Sequence, residues 1–360
     1  MSEPGRNVRA RQDNRRKRRK RRKEHMIPKG LFLIAAIFFI CFLGTKTAAH
    51  LSYDDLRFPA ESEETAKSGG ENGSENRESD SINNTLPEIS VDLEHLYSPY
   101  AILVESDSGK VIAEHNSEDK IYPASLTKIM TALLAIENTD DLNQTVTLPY
   151  DIFDPLYEEN ASMAGFQPGE EAALKDLLYG ILLPSGAECC MAFADRIAGS
   201  EEAFVEMMNE KAAEIGMSST HFCNATGLHD PDHYSTVKDI SVLLRYALQY
   251  EDFRQAFSSS RYTVRPTSQH PDGFTFRSTM FQYMGSTEVG GGEITGGKTG
   301  YTQEAGLCLA SQANVNGKDY ILVTAKANGT HQTEQFHILD AINVYSQIGR
   351  SNITNRLSES

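Results

Sequence analysis

Two kinds of hydrophobic spacing occur along the chain from residue 93 onward, and each predicts a different element. Residues 100–106 (YAILVES) and 110–116 (KVIAEHN) are rich in strand-forming residues, and the Asp-Ser-Gly between them predicts a hairpin. In residues 122–138 the apolar side chains recur every three or four residues, and Pro123 stands just ahead of them. The pattern therefore begins with two strands and continues with a helix.

A block of helices follows this start, and strands return after it. Gly199 and Gly216 stand where two of these helices are expected to stop. Helical patterns cover residues 174–186 (with a break at Pro184), 188–199, 201–216, 236–251 and 332–348, and strand patterns cover 261–266, 306–313 and 318–328. This order predicts an α+β fold, in which the first and last strands pair in an antiparallel sheet flanked by helices, with a mostly helical subdomain beside it.

The first 92 residues predict segments that lie outside this domain. Residues 30–45 carry no charge and lie between Lys29 and Lys46, which indicates a transmembrane helix. The basic residues ahead of it place the N-terminus in the cytoplasm. The predicted division is a basic cytoplasmic tail (1–29), a signal-anchor helix (30–46), a flexible extracytoplasmic linker (47–92), the folded domain (93–350) and a C-terminal tail (351–360).

The location of the protein has one alternative. Thr47 and Ala49 have the small-residue spacing of a signal-peptidase site, so cleavage near Ala49 would give a secreted protein instead of a single-pass membrane protein. The formal net charge of the whole chain is −16, yet residues 6–23 are crowded with Lys and Arg. Such a run could bind nucleic acid. The apolar segment directly after it favours a membrane instead, and we predict no nucleic-acid partner.

Cysteine usage indicates neither a disulfide framework nor a zinc site. Cys41 lies in the predicted transmembrane segment, and the spacing of Cys189, Cys190, Cys223 and Cys308 fits no metal-binding motif. We expect these four to be small buried residues. A polar cluster that resembles a metal site comprises His221, Cys223, His229, Asp230, Asp232 and His233. Polar turns often have this composition, and we predict no metal and no cofactor.

The start of the first helix carries a candidate nucleophile. Ser125-Leu126-Thr127-Lys128 is an S-x-x-K tetrad, whose spacing puts the serine hydroxyl and the lysine amine on one helical face. A serine needs an adjacent base to become a nucleophile. A lysine provides that base if burial and neighbouring cations keep it neutral.

Two later segments complete a possible site. Ser185-Gly186-Ala187 lies where one helix breaks and the next begins. Residues 291–300 (GGEITGGKTG) match a phosphate-binding loop from Gly292 and a K-T-G motif from Lys298. A phosphate-binding loop needs a helix after Thr299, but Gly300 and a strand pattern follow. We therefore favour K-T-G at a strand edge, where Lys298 projects into a cleft and Gly300 lets a ligand backbone come close.

Taken together in order, these segments resemble the serine D-alanyl-D-alanine carboxypeptidases, the low-molecular-mass penicillin-binding proteins. The resemblance runs from residue 97 to residue 348 and rests on PASLTKIMTALLA (123–135), LLPSGAE (182–188), THFCNATGLHDPDHYSTVKDI (220–240) and GGKTGYTQEAGLCLA (296–310). It implies a fold of the β-lactamase/transpeptidase type. It also implies a peptidoglycan stem pentapeptide as the substrate and β-lactam antibiotics as inhibitors.

The resemblance also implies a role for each motif residue. Ser125 would be the acylated nucleophile, Lys128 its general base, and Ser185 the relay that passes a proton to the leaving D-alanine. Lys298 and Thr299, followed by Gly300, would hold the terminal carboxylate of the substrate. The backbone N–H groups of Ser125 and Tyr301 would form the oxyanion hole. The expected activity is removal of the terminal D-alanine by a membrane-tethered enzyme.

One residue departs from the family pattern. The second motif of the family is usually Ser-x-Asn, and this chain has Ala187 at the third position. The missing amide would contact Lys128 and the substrate backbone, and Glu188 beside it is expected to compensate in part. Two alternatives therefore stay open: a non-catalytic protein that binds penicillin or senses the cell wall, and a β-lactamase.

Overall fold

The computed structural model of the protein describes residues 90–358, and the side chains of residues 90–350. The predicted cytoplasmic tail, the predicted transmembrane helix and nearly all of the predicted linker lie outside the described residues. Those assignments and the domain boundaries stay predictions. Among the helices of residues 90–358, none has the length and apolar character needed to cross a membrane.

The described chain follows the predicted order, which is two strands, a mainly helical block, further strands and a last helix. The strands are β1 (Tyr100–Glu105), β2 (Val111–His115), β3 (Thr145–Thr147), β4 (Glu171–Ala173), β5 (Arg261–Val264), β6 (Phe274–Arg277), β7 (Glu288–Val289), β8 (Gly292–Thr302), β9 (Gly306–Val315) and β10 (Lys318–Ala327). The α-helices are α1 (Lys128–Glu137), α2 (Phe153–Glu158), α3 (Leu174–Leu182), α4 (Ala187–Ala198), α5 (Glu201–Glu214), α6 (Val237–Ala247), α7 (Glu251–Phe257) and α8 (Phe336–Ser358).

Six strands form one antiparallel sheet in the order β2-β1-β10-β9-β8-β7. β1 pairs along its whole length with β10, so the predicted pairing of the first and last strands is confirmed. At the other end of the sheet, β7 pairs only with Gly292 and Glu293 of β8. In the described chain, the outer edge of β8 from Lys298 onward has no strand partner, which leaves it open to a ligand.

The sheet separates two apolar cores. Along β1, Ile102 and Val104 pack into the large core, which also contains the inner faces of α1, α3 and α4. Ala101 and Leu103 point to the opposite face, where they join a smaller core under α8. Successive strand residues point to opposite faces, and here both faces are covered. This explains why β1 is a continuous apolar run rather than an alternating one.

Several details differ from the sequence prediction. Ser125 lies on a short 3-10 turn (Ala124–Thr127), and the α-helix begins only at Lys128. The strand predicted at 261–266 is present, but it pairs with β6 in a separate hairpin rather than in the main sheet. The short helices α2 and α7 and the small β3–β4 sheet were not predicted, because segments of three to seven residues give too little periodicity. The last helix, α8, covers Phe336–Ser358, whereas the predicted helical pattern covered residues 332–348.

Candidate active site

The first Ser–Lys pair consists of Ser125 and Lys128. Lys128 Nζ lies 3.3 Å from Ser125 Oγ and donates a second hydrogen bond of 2.5 Å to the backbone carbonyl of Thr226. The lysine is almost completely buried, with 2% of its surface exposed. An amine held this close to a hydroxyl can accept its proton, which is the arrangement a serine nucleophile needs.

The backbone around Ser125 is held in an unusual conformation. Ala124 has a φ of 47°, which is the left-handed region that L-residues rarely occupy. Gly227 packs directly on it, because a Cβ at Gly227 would lie 1.9 Å from the carbonyl oxygen of Ala124. Asn224 Oδ1 accepts hydrogen bonds from the N–H groups of Thr226 and Gly227 and so fixes this turn. The turn of residues 224–227 therefore places both the Thr226 carbonyl and the Ser125 segment.

The second Ser–Lys pair consists of Ser185 and Lys298. Lys298 Nζ donates to Ser185 Oγ at 3.0 Å and to the carbonyl of Thr299 at 2.8 Å. Ser185 also has a left-handed backbone, with a φ of 69°. Residues in such conformations often occur at functional sites, where the surrounding structure holds them. The hydroxyl of Ser185 is thus fixed beside a buried amine.

Burial controls the charge of both lysines. It lowers the pKa of Lys128, and the anionic forms of Cys190, Glu188 and Cys189 oppose that effect. Burial also holds the pKa of Lys298 well below its usual value, and the charge of Lys128 lowers it further. Two ammonium groups this close repel each other, so losing one proton is favourable. The site therefore favours one neutral amine, which a general base requires.

The K-T-G segment lies on the open edge of β8. A Cβ at Gly300 would lie 3.0 Å from the carbonyl oxygen of Pro123 and 3.1 Å from the nitrogen of Ser125. The segment that carries Ser125 thus occupies the space next to Gly300. This contact explains why position 300 has no side chain, in addition to the predicted approach of a ligand. The close approach brings Gly300 beside the backbone nitrogen of Ser125. The oxyanion hole expected from the N–H groups of Ser125 and Tyr301 stays a prediction.

Thr299 has a partner that sequence analysis did not find. Its Oγ1 lies 2.6 Å from Oγ1 of Thr279, which follows β6 in the chain. The backbone N–H of Thr279 donates to the carbonyl of Leu183, just ahead of the Ser185 turn. Two hydroxyls therefore stand together near Lys298. Such a group can donate to a carboxylate.

The third position of the second motif holds a buried alanine. Ala187 is the first residue of α4 and is 1% exposed. Its backbone N–H donates to the carbonyl of Ser162 at 2.8 Å. Glu188 is fully buried, and its Oε1 accepts from the N–H groups of Ala164 and Gly165 at 2.7 and 2.8 Å. Glu188 therefore holds the loop of residues 161–166, rather than occupying the place of an amide that contacts the substrate.

The polar cluster that resembled a metal site has a different organisation. In the described chain, no three His, Cys, Asp or Glu side chains are placed to hold a metal ion. His233 is buried, its Nδ1 accepts from the N–H of Cys223, and its Nε2 therefore carries the proton that bonds Thr127 Oγ1 at 2.8 Å. Burial lowers the pKa of His233 to about 4. This neutral histidine thus supports the S-x-x-K turn, a role that sequence analysis did not assign.

The phosphate-loop alternative is excluded by the position of its residues. Gly292 to Thr299 lie within the extended strand β8, and β9 pairs with them along its length. A phosphate-binding loop needs a turn of free N–H groups at the start of a helix. The stretch therefore serves as a K-T-G strand.

The two Ser–Lys pairs on an antiparallel sheet, with a helical subdomain covering one face, define a serine acyl-transfer site of the β-lactamase/transpeptidase type. Residues 88–329 match the family described as D-alanyl-D-alanine carboxypeptidase, peptidase family S11. The match covers well over half of the chain. The protein belongs to this family of penicillin-binding serine carboxypeptidases.

Individual relatives agree with this assignment. D-alanyl-D-alanine carboxypeptidase DacF of Bacillus subtilis is 34% identical over 236 residues, which are 63% of this chain and 57% of DacF. DacC of Escherichia coli is 37% identical over 149 residues, 39% of this chain and 37% of DacC. The chain thus spans less than two thirds of the length of these relatives.

Solved structures show the same fold. The crystal structure of a Streptomyces DD-transpeptidase has a TM-score of 0.63 at 25% identity and covers 70% of this chain and 97% of its own. A D-alanyl-D-alanine carboxypeptidase from Mycobacterium tuberculosis has a TM-score of 0.62 at 25% identity, covering 72% and 93%. The family and the fold class predicted from the sequence are confirmed, and so is the class of enzyme to which the family belongs.

Proposed function

We propose that this protein removes the terminal D-alanine from the pentapeptide stems of peptidoglycan through an acyl-enzyme on Ser125. The observation that carries the proposal is the presence of two Ser–Lys pairs with buried lysines, Ser125 with Lys128 and Ser185 with Lys298. The family match and the names of the relatives support it. Each side chain has a step to perform in this reaction.

In acylation, Ser125 Oγ attacks the carbonyl carbon of the penultimate D-alanine while its proton passes to Lys128 Nζ. The negative charge that forms on the carbonyl oxygen is stabilised by the backbone N–H groups of Ser125 and Tyr301. When the C–N bond breaks, the leaving amine takes a proton from Ser185, and Lys128 restores it. Lys298 Nζ and the hydroxyl of Thr299 bind the terminal carboxylate, whose negative charge favours the ammonium form of Lys298 once the substrate is bound. These two groups orient the peptide along β8.

Deacylation repeats these roles with water. Lys128 removes a proton from water as its oxygen attacks the acyl carbon. The bond to Ser125 Oγ then breaks, and the proton returns to that oxygen. The same carbonyl chemistry leads to a stable adduct with a β-lactam, since the opened ring stays attached and blocks the position of water. Penicillin is therefore a direct probe of Ser125.

The proposal includes a membrane tether. Residues 30–46 would anchor the protein in the cytoplasmic membrane and keep the domain on the outer side, near its substrate; cleavage near Ala49 would release it instead. Accessibility of the domain to protease in intact and in lysed cells, together with the mass of the mature chain, distinguishes these locations from a cytoplasmic one.

The test uses the purified full-length protein, a fluorescent penicillin and a D-alanine assay on a pentapeptide. We expect one penicillin adduct by intact-protein mass spectrometry, absent in Ser125→Ala and retained in Ser108→Ala, an exposed serine of the β1–β2 turn. Labelling that survives Ser125→Ala contradicts the assignment of the nucleophile. If the wild type binds penicillin but releases no more D-alanine than Ser125→Ala, the protein is a sensor. Rapid turnover of penicillin would identify a β-lactamase.

A further inference from the structure

One buried carboxylate beside the two Ser–Lys pairs has no role in the reaction described so far. Glu188 is fully buried in the first turn of α4, three residues after Ser185. Its Oε1 accepts two backbone hydrogen bonds, but Oε2 has no hydrogen-bond partner in the described chain. Burying half of a carboxylate without a partner is costly. The burial of this oxygen therefore needs an explanation, and its position beside the active site suggests one.

Oε2 lies behind the turn that carries Ser185. A Cβ at Gly186 would be 3.1 Å from Oε2 of Glu188 and 2.6 Å from the Cβ of Ala164. The carboxylate is therefore packed between the Ser185 turn and the loop of residues 161–166. In the same loop, the carbonyl of Ser162 accepts a hydrogen bond from the backbone N–H of Ala187. One side chain thus ties the second motif to the loop beside it.

The groups around Lys128 show what charge the carboxylate acts on. The pKa of Lys128 responds to the charges of Cys189, Cys190 and Glu188 in α4, and the charge of Lys128 in turn lowers the pKa of Lys298 in β8 and of His233. Burial raises the pKa of Cys190 to about 12 and that of Cys189 well above its usual value, so neither thiol is charged at neutral pH. Burial also raises the pKa of Glu188, while the backbone N–H groups of Gly165 and Ala164 lower it. In its ionised form, Glu188 is the carboxylate that favours the positive charge of Lys128.

We propose that Glu188 is a positioning residue for the catalytic pair: it holds the 161–166 loop against the second motif and counters the charge that Lys128 gains on taking the proton of Ser125. The proposal rests on the acyl-transfer function proposed above. It also accounts for the alanine at position 187. The hydrogen bond that an amide would give Lys128 is replaced by the Thr226 carbonyl, and the charge of Lys128 is balanced from behind by Glu188.

The test compares Glu188→Gln and Glu188→Ala in the full-length protein. Glutamine keeps the oxygen that accepts from Ala164 and Gly165 but removes the charge, whereas alanine removes both. Glu201→Gln is the matched control. Glu201 also holds a loop of the site, through the N–H of Ala225, but does not act on the charge of Lys128.

The first measurement is the protonation of Lys128 itself, followed by NMR with lysine-selective 13Cε labelling and assigned with Lys128→Arg. In Glu188→Gln the pKa of Lys128 should fall by about one pH unit, because an anion that favoured the charged form has been removed. In Glu201→Gln it should not change. This measurement needs no turnover, so it decides the electrostatic role even if the wild type forms no acyl-enzyme.

The second measurement is the rate of acylation by penicillin against pH. The rising limb, where Lys128 loses its proton, should move to lower pH in Glu188→Gln, with a lower plateau because the amine is a weaker base. In Glu188→Ala the melting temperature should fall as well, since the loop loses its anchor. An unchanged Lys128 titration in Glu188→Gln, with both variants slowed in proportion to lost stability, would overturn the proposal and leave Glu188 a purely structural residue. Absence of acylation in the wild type would instead reject the proposed function.

Discussion

At the scale of single residues, the environment of Lys128 and the position of Ser125 depend on groups from distant parts of the chain. The carbonyl that accepts from Lys128 belongs to Thr226, which is 98 residues away in the sequence. Ala187 therefore removes one hydrogen bond from the site without leaving Lys128 unpartnered. If the proposed function holds, we therefore expect a slow enzyme rather than an inactive one.

Ala187→Asn should raise the release of D-alanine. The restored amide adds one or two neutral hydrogen bonds to Lys128 and the substrate, each worth about 0.5–1.5 kcal/mol, so the gain is at most roughly one to two orders of magnitude. Ala187→Leu is the control, since leucine has the same branched arrangement of side-chain heavy atoms as asparagine, in a somewhat larger volume and without the amide. The measurement is kcat/KM for pentapeptide release in the three proteins. Equal slowing in both variants would mean that bulk alone matters at this position.

Lys298→Met should lower kcat/KM for substrates that end in a free carboxylate. Loss of one charge-assisted hydrogen bond costs about 1.5–3 kcal/mol, or roughly ten- to a hundredfold in kcat/KM. The fold should tolerate the change, because replacing a buried charge by an apolar side chain is often neutral or stabilising. The control substrate is the same peptide with a C-terminal amide. If kcat/KM for the two substrates falls equally, Lys298 does not bind the carboxylate.

At the scale of elements, the site is built from turns that are pressed against each other rather than from one helix. Gly227 has a φ of 81°, and a Cβ there would overlap the carbonyl of Ala124. The turn of residues 224–227 and the S-x-x-K turn are therefore packed together with no room for a side chain between them. A change at this contact should reach Ser125 without touching any catalytic side chain.

Gly227→Ala tests this coupling. We expect a loss of stability above the roughly 1–3 kcal/mol of a left-handed alanine, together with nearly complete loss of penicillin acylation. Gly199→Ala is the matched control: its φ is 77°, but a Cβ there meets nothing within 4 Å. It should lose stability and keep its acylation rate. Normal acylation in a folded Gly227→Ala would show that the two turns are independent.

The sequence predicted the elements and the motif residues for clear physical reasons. The apolar runs of β1 and β10 indicated strands, and the i, i+3 spacing of Ser125 and Lys128 indicated a shared face. The Thr226 carbonyl could not be predicted, because a backbone acceptor leaves no residue-type signal. Thr279 could not be assigned either, since a threonine after a short strand is common and its meaning depends on the tertiary contact with Thr299.

At the scale of the whole molecule, buried ionisable groups make stability depend on pH. Burial lowers the pKa of His337, at the start of α8, to about 4, and its Nδ1 has no partner among the described groups. An unfolded histidine titrates near 6.5. As pH falls from 6.5 toward 4, the unfolded state therefore binds more protons than the folded state, and stability is lost.

His337→Leu should reduce this acid sensitivity. Between about pH 7 and about pH 5, the buried histidine should lower the free energy of unfolding of the wild type by roughly 1–2 kcal/mol. The variant should not lose this contribution. The comparison must be between variants, because burial raises the pKa of Asp176, Asp239 and Asp340, and these carboxyls act in the opposite direction. The measurement is urea unfolding at both pH values. Equal losses in the two proteins would show that His337 is not responsible.

The left-handed backbones at Ala124 and Ser185 set a limit on reuse of this site in design. A scaffold given only the two serines and two lysines, with ordinary turns beneath them, would relax both segments into common φ values and separate each hydroxyl from its amine. The conformation at Ala124 comes from Gly227 and the Asn224 turn packed on it. A designer who transfers this site to another scaffold would therefore have to include the glycine contact and the supporting loops, because the motif residues alone would not adopt this geometry.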